Sequence, residues 1–383
     1  MDFTEHNAEV GRVWQAYRAG KPVRVPMALS VEQRWWVLDP ELNRSGITWH
    51  AYLNDPETMF QVCLKYKYDL AHRIAQDVEM GIPAGAWEIT PHFANIVDEA
   101  WLGSELVEIE GQTTTTRPAF SGEHKYEILE RGIPDPFEGI MGQVMEYYEY
   151  FKERANGYEF FGRPVNVGLP QTQNSDGLLT VAHGLRGPEL FEDMLADEDY
   201  YHALMDLVTE AMILRILAWR AYFGIEPHPT RGWFADDAIQ FISTAAYREK
   251  VMPYHKRFMA ALFGEGPHAM HLCGNVQRHL PLLVNQFNVK SFDTGFPLNF
   301  KTLRDEVGED VEIQGGVKVP DLLSCTADEI YAKTRDILTS GIMRGGKFIM
   351  KEANDLAPRV PLPNLEAMYA SVKQFGNYSD NCR

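Results

Sequence analysis

Residues 311–354 read VEIQGGVKVPDLLSCTADEIYAKTRDILTSGIMRGGKFIMKEAN, opening on one short apolar run, VEIQGGV, and closing on another, KFIMKEAN. Between them Thr326 stands three residues ahead of Glu329, a capping-box start, and helical periodicity runs on to a stop at Gly341. A strand, a crossover helix and a second strand form the unit that pairs strands in parallel.

The same unit recurs along the chain. VRVPMAL (23–29), HRIAQDVEM (72–80), VNVGLP (165–170), GWFADD (232–237), AMHLCG (269–274) and VKSFDTG (289–295) bring the strand-like segments to eight. Stretches of helical period separate most of them, as at 187–224 and 245–264. Eight such units predict an α/β fold, a (β/α)8 TIM barrel with its helices outside. The regularity breaks once. Residues 81–164 hold ELVEIEGQTTTTRPAF (105–120), which alternates like a hairpin, and the helical EGIMGQVMEYYEYFKERANG (138–157). This reads as an inserted capping segment after the second strand, over the barrel mouth, within a single domain spanning 1–383.

The composition is that of a globular protein, with 383 residues, 45% hydrophobic and 23% charged. A net charge of −18 argues against nucleic acid or an anionic membrane as partner. Four widely spaced cysteines (Cys63, Cys273, Cys325, Cys382) offer no disulfide framework and point to a reducing compartment. The stretch MDFTEHNAEVGRVWQAYRAG has no apolar core of a signal peptide, and no run approaches the roughly 20 apolar residues of a spanning helix. The expectation is a cytoplasmic protein. No P-loop, no G-x-G-x-x-G after a strand and no G-x-S-x-G occurs, so nucleotide and serine-hydrolase chemistry lose support.

Polar residues end the strands: Asp77, Gln171, Asp236 with Asp237, His271 with Cys273, Asp293, Lys318, and Glu352 with Asn354. In a parallel barrel these converge at the C-terminal mouth, where active sites lie. His271 and Cys273, two apart on a strand, share a face. They form either half of a metal site or a satisfied core histidine beside a small buried thiol. Asp236 and Asp237 are neighbours and face opposite ways, so one enters the pocket while the other caps a helix or pairs at the mouth. Asp77 reads as a substrate-contacting or capping carboxylate, and Gln171 and Asp293 as substrate contacts. Of the pair Trp35–Trp36, one is expected to wall a pocket for a small aromatic ligand. Trp233 and Phe234 read as core, and Cys325 as a helix-start residue.

From about residue 165 onward the chain resembles the uroporphyrinogen decarboxylase superfamily. The resemblance lies in GLLTVAHGLRGPELFEDMLADEDYYHALMDL, WFADDAIQFISTAAYREKVMPYHKRF, HLCGN, IQGGVKVPDLLSCTADEI and PLPNLEAMYASV, and VRVPMAL fits the family's first strand. It implies the same barrel. The decarboxylases of the family carry a first-strand loop resembling RQAGRYLPEYR. Here MALSVEQRWWVLDP stands instead, with Arg34 alone. The resemblance therefore runs to the corrinoid-dependent methyltransferase branch, which holds zinc through His-X-Cys and a distant third ligand. On that resemblance His271 and Cys273 match the first two ligands. The family's third, a cysteine, aligns near Asn354, and Glu352 on the same strand face is the expected substitute. Three protein ligands and one open position suit catalytic Zn²⁺. Asp237 and Asp236 would lie beside the metal as outer or alternative ligands.

No cobalamin-binding D-x-H-x-x-G occurs in the chain, so a corrinoid would arrive on a separate protein docking at the mouth. The function implied is zinc-dependent transfer of a methyl group from a small-molecule methyl donor, a methoxylated aromatic, to the cobalt of that corrinoid protein. Two other readings stand beside it. One is a cofactor-free decarboxylase with Asp77 as its electrostatic group, and the other a non-catalytic barrel that binds a small ligand or the corrinoid protein.

Overall fold

In the computed structural model of the chain, which describes residues 2–378, the 311–354 segment is strand, helix and strand. The strands in chain order are β1 (Trp87–Ile89), β2 (Glu105–Val107), β3 (Thr115–Arg117), β4 (Glu159–Phe160), β5 (Arg163–Val167), β6 (Trp233–Ala235), β7 (His268–Leu272), β8 (Val289–Thr294), β9 (Glu312–Lys318) and β10 (Phe348–Ala353). The helix between β9 and β10 starts with the capping box its sequence spells. Glu329 Oε2 accepts the Thr326 amide at 2.8 Å, while Thr326 Oγ1 accepts the Glu329 amide at 3.4 Å. Gly341, at φ +100°, turns the chain out of the helix, a conformation glycine adopts without steric cost.

Strands β6 to β10 form a five-stranded sheet, each parallel to its neighbour in chain order. The fold is thus α/β with a parallel sheet. Its register sets His271 opposite both Ala235 and Asp293, which brings the C-terminal ends of three strands to one edge. Met270, Leu272, Phe292, Ile313, Phe348 and Met350 are buried from the sheet. Leu204, Val208, Met212 and Trp219 of the long helix Glu198–Phe223 are buried with them in one continuous core. No helix among the described residues is long and apolar enough to cross a membrane.

At two seams side chains stand in for a ladder, and an aspartate closes each, Asp77 at the first and Asp236 at the second. At 23–29 the ladder reduces to isolated bridges, Met27 with Met350 and Arg24 with Asn377, because Pro22 and Pro26 carry no amide hydrogen. The 72–80 segment is helical to Arg73 and irregular beyond. Its side chains replace a ladder: Asp77 Oδ2 accepts the Met27 amide and Gln76 Oε1 the Leu29 amide, each at 2.7 Å. The second seam lies between β5 and β6, which no ladder joins among the described residues. There Gly177, at φ +113°, packs so closely on β6 that a Cβ would stand 2.4 Å from the Ala235 carbonyl oxygen.

The 81–164 segment contains the hairpin and the helix its sequence suggested, as the antiparallel β2–β3 pair and the helix Ile140–Ala155. It also contributes β1, which lies parallel to β5 with Trp87 opposite Val165. Three residues are too few to display a period of two, so this strand is silent in the sequence. Cys63, Cys273 and Cys325 are free thiols, and Cys382 lies outside the described residues.

Candidate metal centre and adjoining cavity

His271 and Cys273 leave β7 on one face, and everything around them acts on that pair. His271 Nδ1 meets Asp293 Oδ2 at 2.9 Å, and its Nε2 lies 3.1 Å from Cys273 Sγ. The Cys273 amide donates to Asp237 Oδ1 at 2.6 Å, and its thiol to Asn354 Oδ1 at 2.9 Å. One ligand atom each from Asp237, His271 and Cys273 lies within 4.8 Å of the others, and this is the one such His/Cys/carboxylate group among the described residues. Asn354 reaches the thiol from a left-handed backbone, at φ +96°, a conformation asparagine tolerates better than most residues.

Burial pushes the Cys273 thiol well up, and the Asp237, Asp355 and Asp293 carboxylates push it the same way. Burial also raises Asp237, against the pull of His271 and Cys273. For His271 burial opposes the charged ring, but Asp293 and Asp237 outweigh it and raise its pKa. Burial alone would raise Asp293, yet His271 and Lys351 hold its carboxyl below the usual range. The Cys273 thiol therefore keeps its proton, and a cation bound beside it would release that proton. The donors fit zinc, being one imidazole nitrogen, one sulfur and one carboxylate oxygen. Asp293 on Nδ1 leaves Nε2, which faces Cys273 Sγ, as the ring nitrogen turned toward a metal, the arrangement that orients metal-binding histidines.

The remaining candidates divide between this centre and the scaffold. Asp293 holds His271 on one oxygen and Lys351 Nζ on the other, at 2.6 Å. Lys351 is buried and donates also to Ser30 Oγ at 2.7 Å. Glu352 is fully buried and is not among the three residues whose ligand atoms converge; its Oε1 accepts the Ser30 amide at 2.9 Å while Oε2 has no partner. Burial holds its pKa well above the usual carboxylate range. Asp236 is saturated: it accepts from the Leu179 amide at 2.8 Å, the Thr180 amide at 3.0 Å and the Thr180 hydroxyl at 2.8 Å, and pairs with His255 Nε2 at 2.9 Å. It thereby caps the helix Leu178–Arg186 against β6. Asp77 is likewise enclosed, by Arg24 at 2.6 and 2.7 Å, the Met27 amide and Tyr369 at 3.0 Å. Trp35 and Trp36 sit on the short helix Gln33–Val37 and both enter the core, with Trp36 Nε1 donating to Asp69 at 2.7 Å. Lys318, at the end of β9, is exposed.

A cavity of about 390 Å³ adjoins the centre. Gln171 lines it as expected, together with Phe93, Thr172, Asp176 and Trp233. The Trp233 ring stands 6.4 Å from that of His271 and is 39% exposed, so it forms a wall of the cavity rather than core. Burial and the Asp98 carboxylate raise Asp176 to about 8, and both Asp237 and His271 act on it, which ties the cavity electrostatically to the centre. Sequence reading passed over Asp176, Lys351 and the part played by Asn354. The polar loop QTQNSDG after the third strand-like segment was the signal available for Asp176.

Comparison with known proteins agrees with this architecture. No curated protein sequence matches the chain. Among solved structures, a methyltransferase from Methanosarcina mazei superposes with a TM-score of 0.64 at 18% identity, covering 96% of this chain and 98% of that one. At that identity the likeness is one of fold. Residues 179–375, just over half of the sequence and including β6 to β10 with His271, Cys273 and Asp237, match the family described as uroporphyrinogen decarboxylase (URO-D). The chain belongs to the uroporphyrinogen decarboxylase family.

Proposed function

We propose that this protein is a zinc-dependent methyltransferase of the cytoplasm, built on a (β/α)8 barrel. It would move a methyl group from a small methoxylated aromatic donor to the cobalt of a separate corrinoid protein. The observation that carries the reading is the convergence of Asp237, His271 and Cys273 ligand atoms within 4.8 Å, beside a cavity of about 390 Å³. The Methanosarcina mazei neighbour, itself a methyltransferase, supports the same direction. The cavity lining includes no arginine or lysine, which disfavours decarboxylation of a polycarboxylate.

His271, Cys273 and Asp237 would hold the zinc, Asp237 taking the part expected of Glu352. Bound zinc supplies a Lewis acid that makes the oxygen of a methyl ether a better leaving group. The chain's own residues do the positioning. Asp293 fixes the His271 ring and is itself kept charged by Lys351. Asn354 holds the Cys273 thiol in place and the Cys273 amide holds Asp237. Trp233 offers an apolar wall to an aromatic donor next to His271.

The test is methyl transfer from a methoxylated aromatic to a reduced corrinoid protein, followed by the absorbance change from cobalt(I) to methylcobalt. The expected result is methylation that stops on chelation and returns with zinc. Full zinc occupancy with no methylation from a panel of aryl methyl ethers would overturn the assignment.

A further inference from the structure

A second cavity, of about 600 Å³, lies apart from the metal centre. It is enclosed by residues 37–50, which follow the first strand-like segment, by the turn 108–114 of the β2–β3 hairpin, and by Arg359 beyond β10. No residue lines both this cavity and the one beside His271 and Cys273. Its volume and its apolar walls, Val37, Leu38, Pro40, Ile47 and Ile109, suit a small molecule. One wall is braced from within. Asn43, itself buried, donates to the Val37 and Ile47 carbonyls at 2.8 and 2.7 Å and accepts the Ile47 amide at 3.0 Å.

Two buried polar groups on this lining have no partner. Trp49 is 6% exposed and Thr114 4%, yet Trp49 Nε1 and Thr114 Oγ1 make no hydrogen bond among the described residues. They come from separate elements, the helix Trp49–Asn54 and the residue before β3, and both line the one cavity. Buried polar groups in folded proteins are nearly always paired, so two orphans on a single cavity mark a ligand that completes both. An indole N–H only donates, so the ligand atom that meets it is an acceptor. The threonine hydroxyl can donate to the same atom.

The charged groups of the lining narrow the choice. Glu108 is held by His50, whose Nδ1 lies 2.8 Å from both its oxygens. Arg359 and Glu110 add one charge of each sign. One guanidinium set against two carboxylates leaves an anion no surplus of positive charge, even with His50 protonated. We infer that this cavity is a second binding site, for an uncharged small molecule with an apolar body and a carbonyl oxygen that accepts from both Trp49 Nε1–H and the Thr114 hydroxyl. The site is independent of the methyl-transfer reaction proposed above.

The experiment is NMR titration of the full chain labelled with nitrogen-15, whose eight tryptophans give eight indole N–H resonances. Trp49→Phe removes one of them and so assigns it. Three probes are compared: acetophenone, α-methylstyrene, in which a methylene group replaces the carbonyl oxygen, and benzoate. The expected result is a saturable downfield shift of the Trp49 resonance by acetophenone, bound at least about tenfold tighter at this site than either of the others. Thr114→Val is expected to weaken acetophenone about three- to tenfold, and Thr114→Ser, which keeps the hydroxyl, to retain the affinity. An unmoved Trp49 resonance, a ketone bound no tighter than the alkene or the benzoate, or an affinity unchanged in Thr114→Val would overturn the inference. The three probes are compared on the unaltered chain, so that result stands even where a variant fails to fold.

Discussion

Cys273→Ala is expected to take the zinc content of the purified chain from about one ion to less than about a tenth, and methyl transfer down by a factor on the order of a thousand. Cys273 Sγ sits between His271 Nε2 and Asn354 Oδ1, and its amide fixes Asp237, so it is the hub of the centre. Its thiol is held well above its ordinary pKa by burial and surrounding carboxylates, and only a cation at that point makes the thiolate favourable. Losing the Lewis acid forfeits several kcal/mol of transition-state stabilisation, hence the size of the expected effect. Elemental analysis and the corrinoid methylation rate check it. The melting temperature of the metal-free variant is expected within a few degrees of metal-free wild type, since the substitution removes one sulfur from a partly exposed site. A variant that keeps its zinc would place the ion elsewhere.

Asp293→Ala carries the second large effect, and it falls on stability and metal binding together. The carboxylate pairs with Lys351 Nζ at 2.6 Å and His271 Nδ1 at 2.9 Å. Lys351 is 2% exposed and would keep only the Ser30 hydroxyl and Glu352, whose carboxyl stands 4.0 Å away. Removing one partner of a buried ion pair leaves an uncompensated charge, at a cost of about 3 kcal/mol. Freed of Asp293, the His271 ring loses its fixed tautomer and orientation, and zinc affinity is expected to fall about 10–100-fold. Denaturant unfolding of the metal-free protein reads the first effect, and competition with a chromogenic chelator the second. Stability within about 0.5 kcal/mol of wild type would show that Lys351 does not depend on this pair.

How much of this was legible beforehand turns on local periodicity. The parallel sheet could be read because β6 to β10 alternate with helices whose caps are written in the chain, as at Thr326 and Gly341. The placing of His271 and Cys273 on one face followed from the strand period alone. That Asp237, rather than Glu352, converges on the pair did not, and the reason lies in two residues. Asn354 has φ +96°, so the alternation that put Glu352 on its face ends there. The asparagine reaches Cys273 while Glu352 turns to the Ser30 amide. After β6 the chain leaves the strand at Ala235, and Asp236 and Asp237 separate, the first under the helix 178–186, the second toward the Cys273 amide.

Asp77 and Asp236 show a different limit. Each ends a strand-like segment, as a mouth residue would, yet each accepts amides across a seam that lacks a ladder. Nothing in the sequence distinguishes a carboxylate that faces a cavity from one that replaces a missing strand bond, because that depends on which segments the fold sets side by side. Trp35 and Trp36 could not be resolved for a similar reason. A helix of five residues buries both rings through contacts with distant parts of the chain. Asp176 was hidden by its place in an irregular loop, where no period points side chains anywhere.

The central claim is that Asp237, His271 and Cys273 form a zinc site, and zinc K-edge X-ray absorption of the purified full chain tests it most directly. The account predicts one sulfur scatterer at about 2.3 Å with nitrogen and oxygen scatterers at about 2.0–2.2 Å. Bound zinc with no sulfur in its first coordination sphere, or no zinc after reconstitution under reducing conditions, would contradict it.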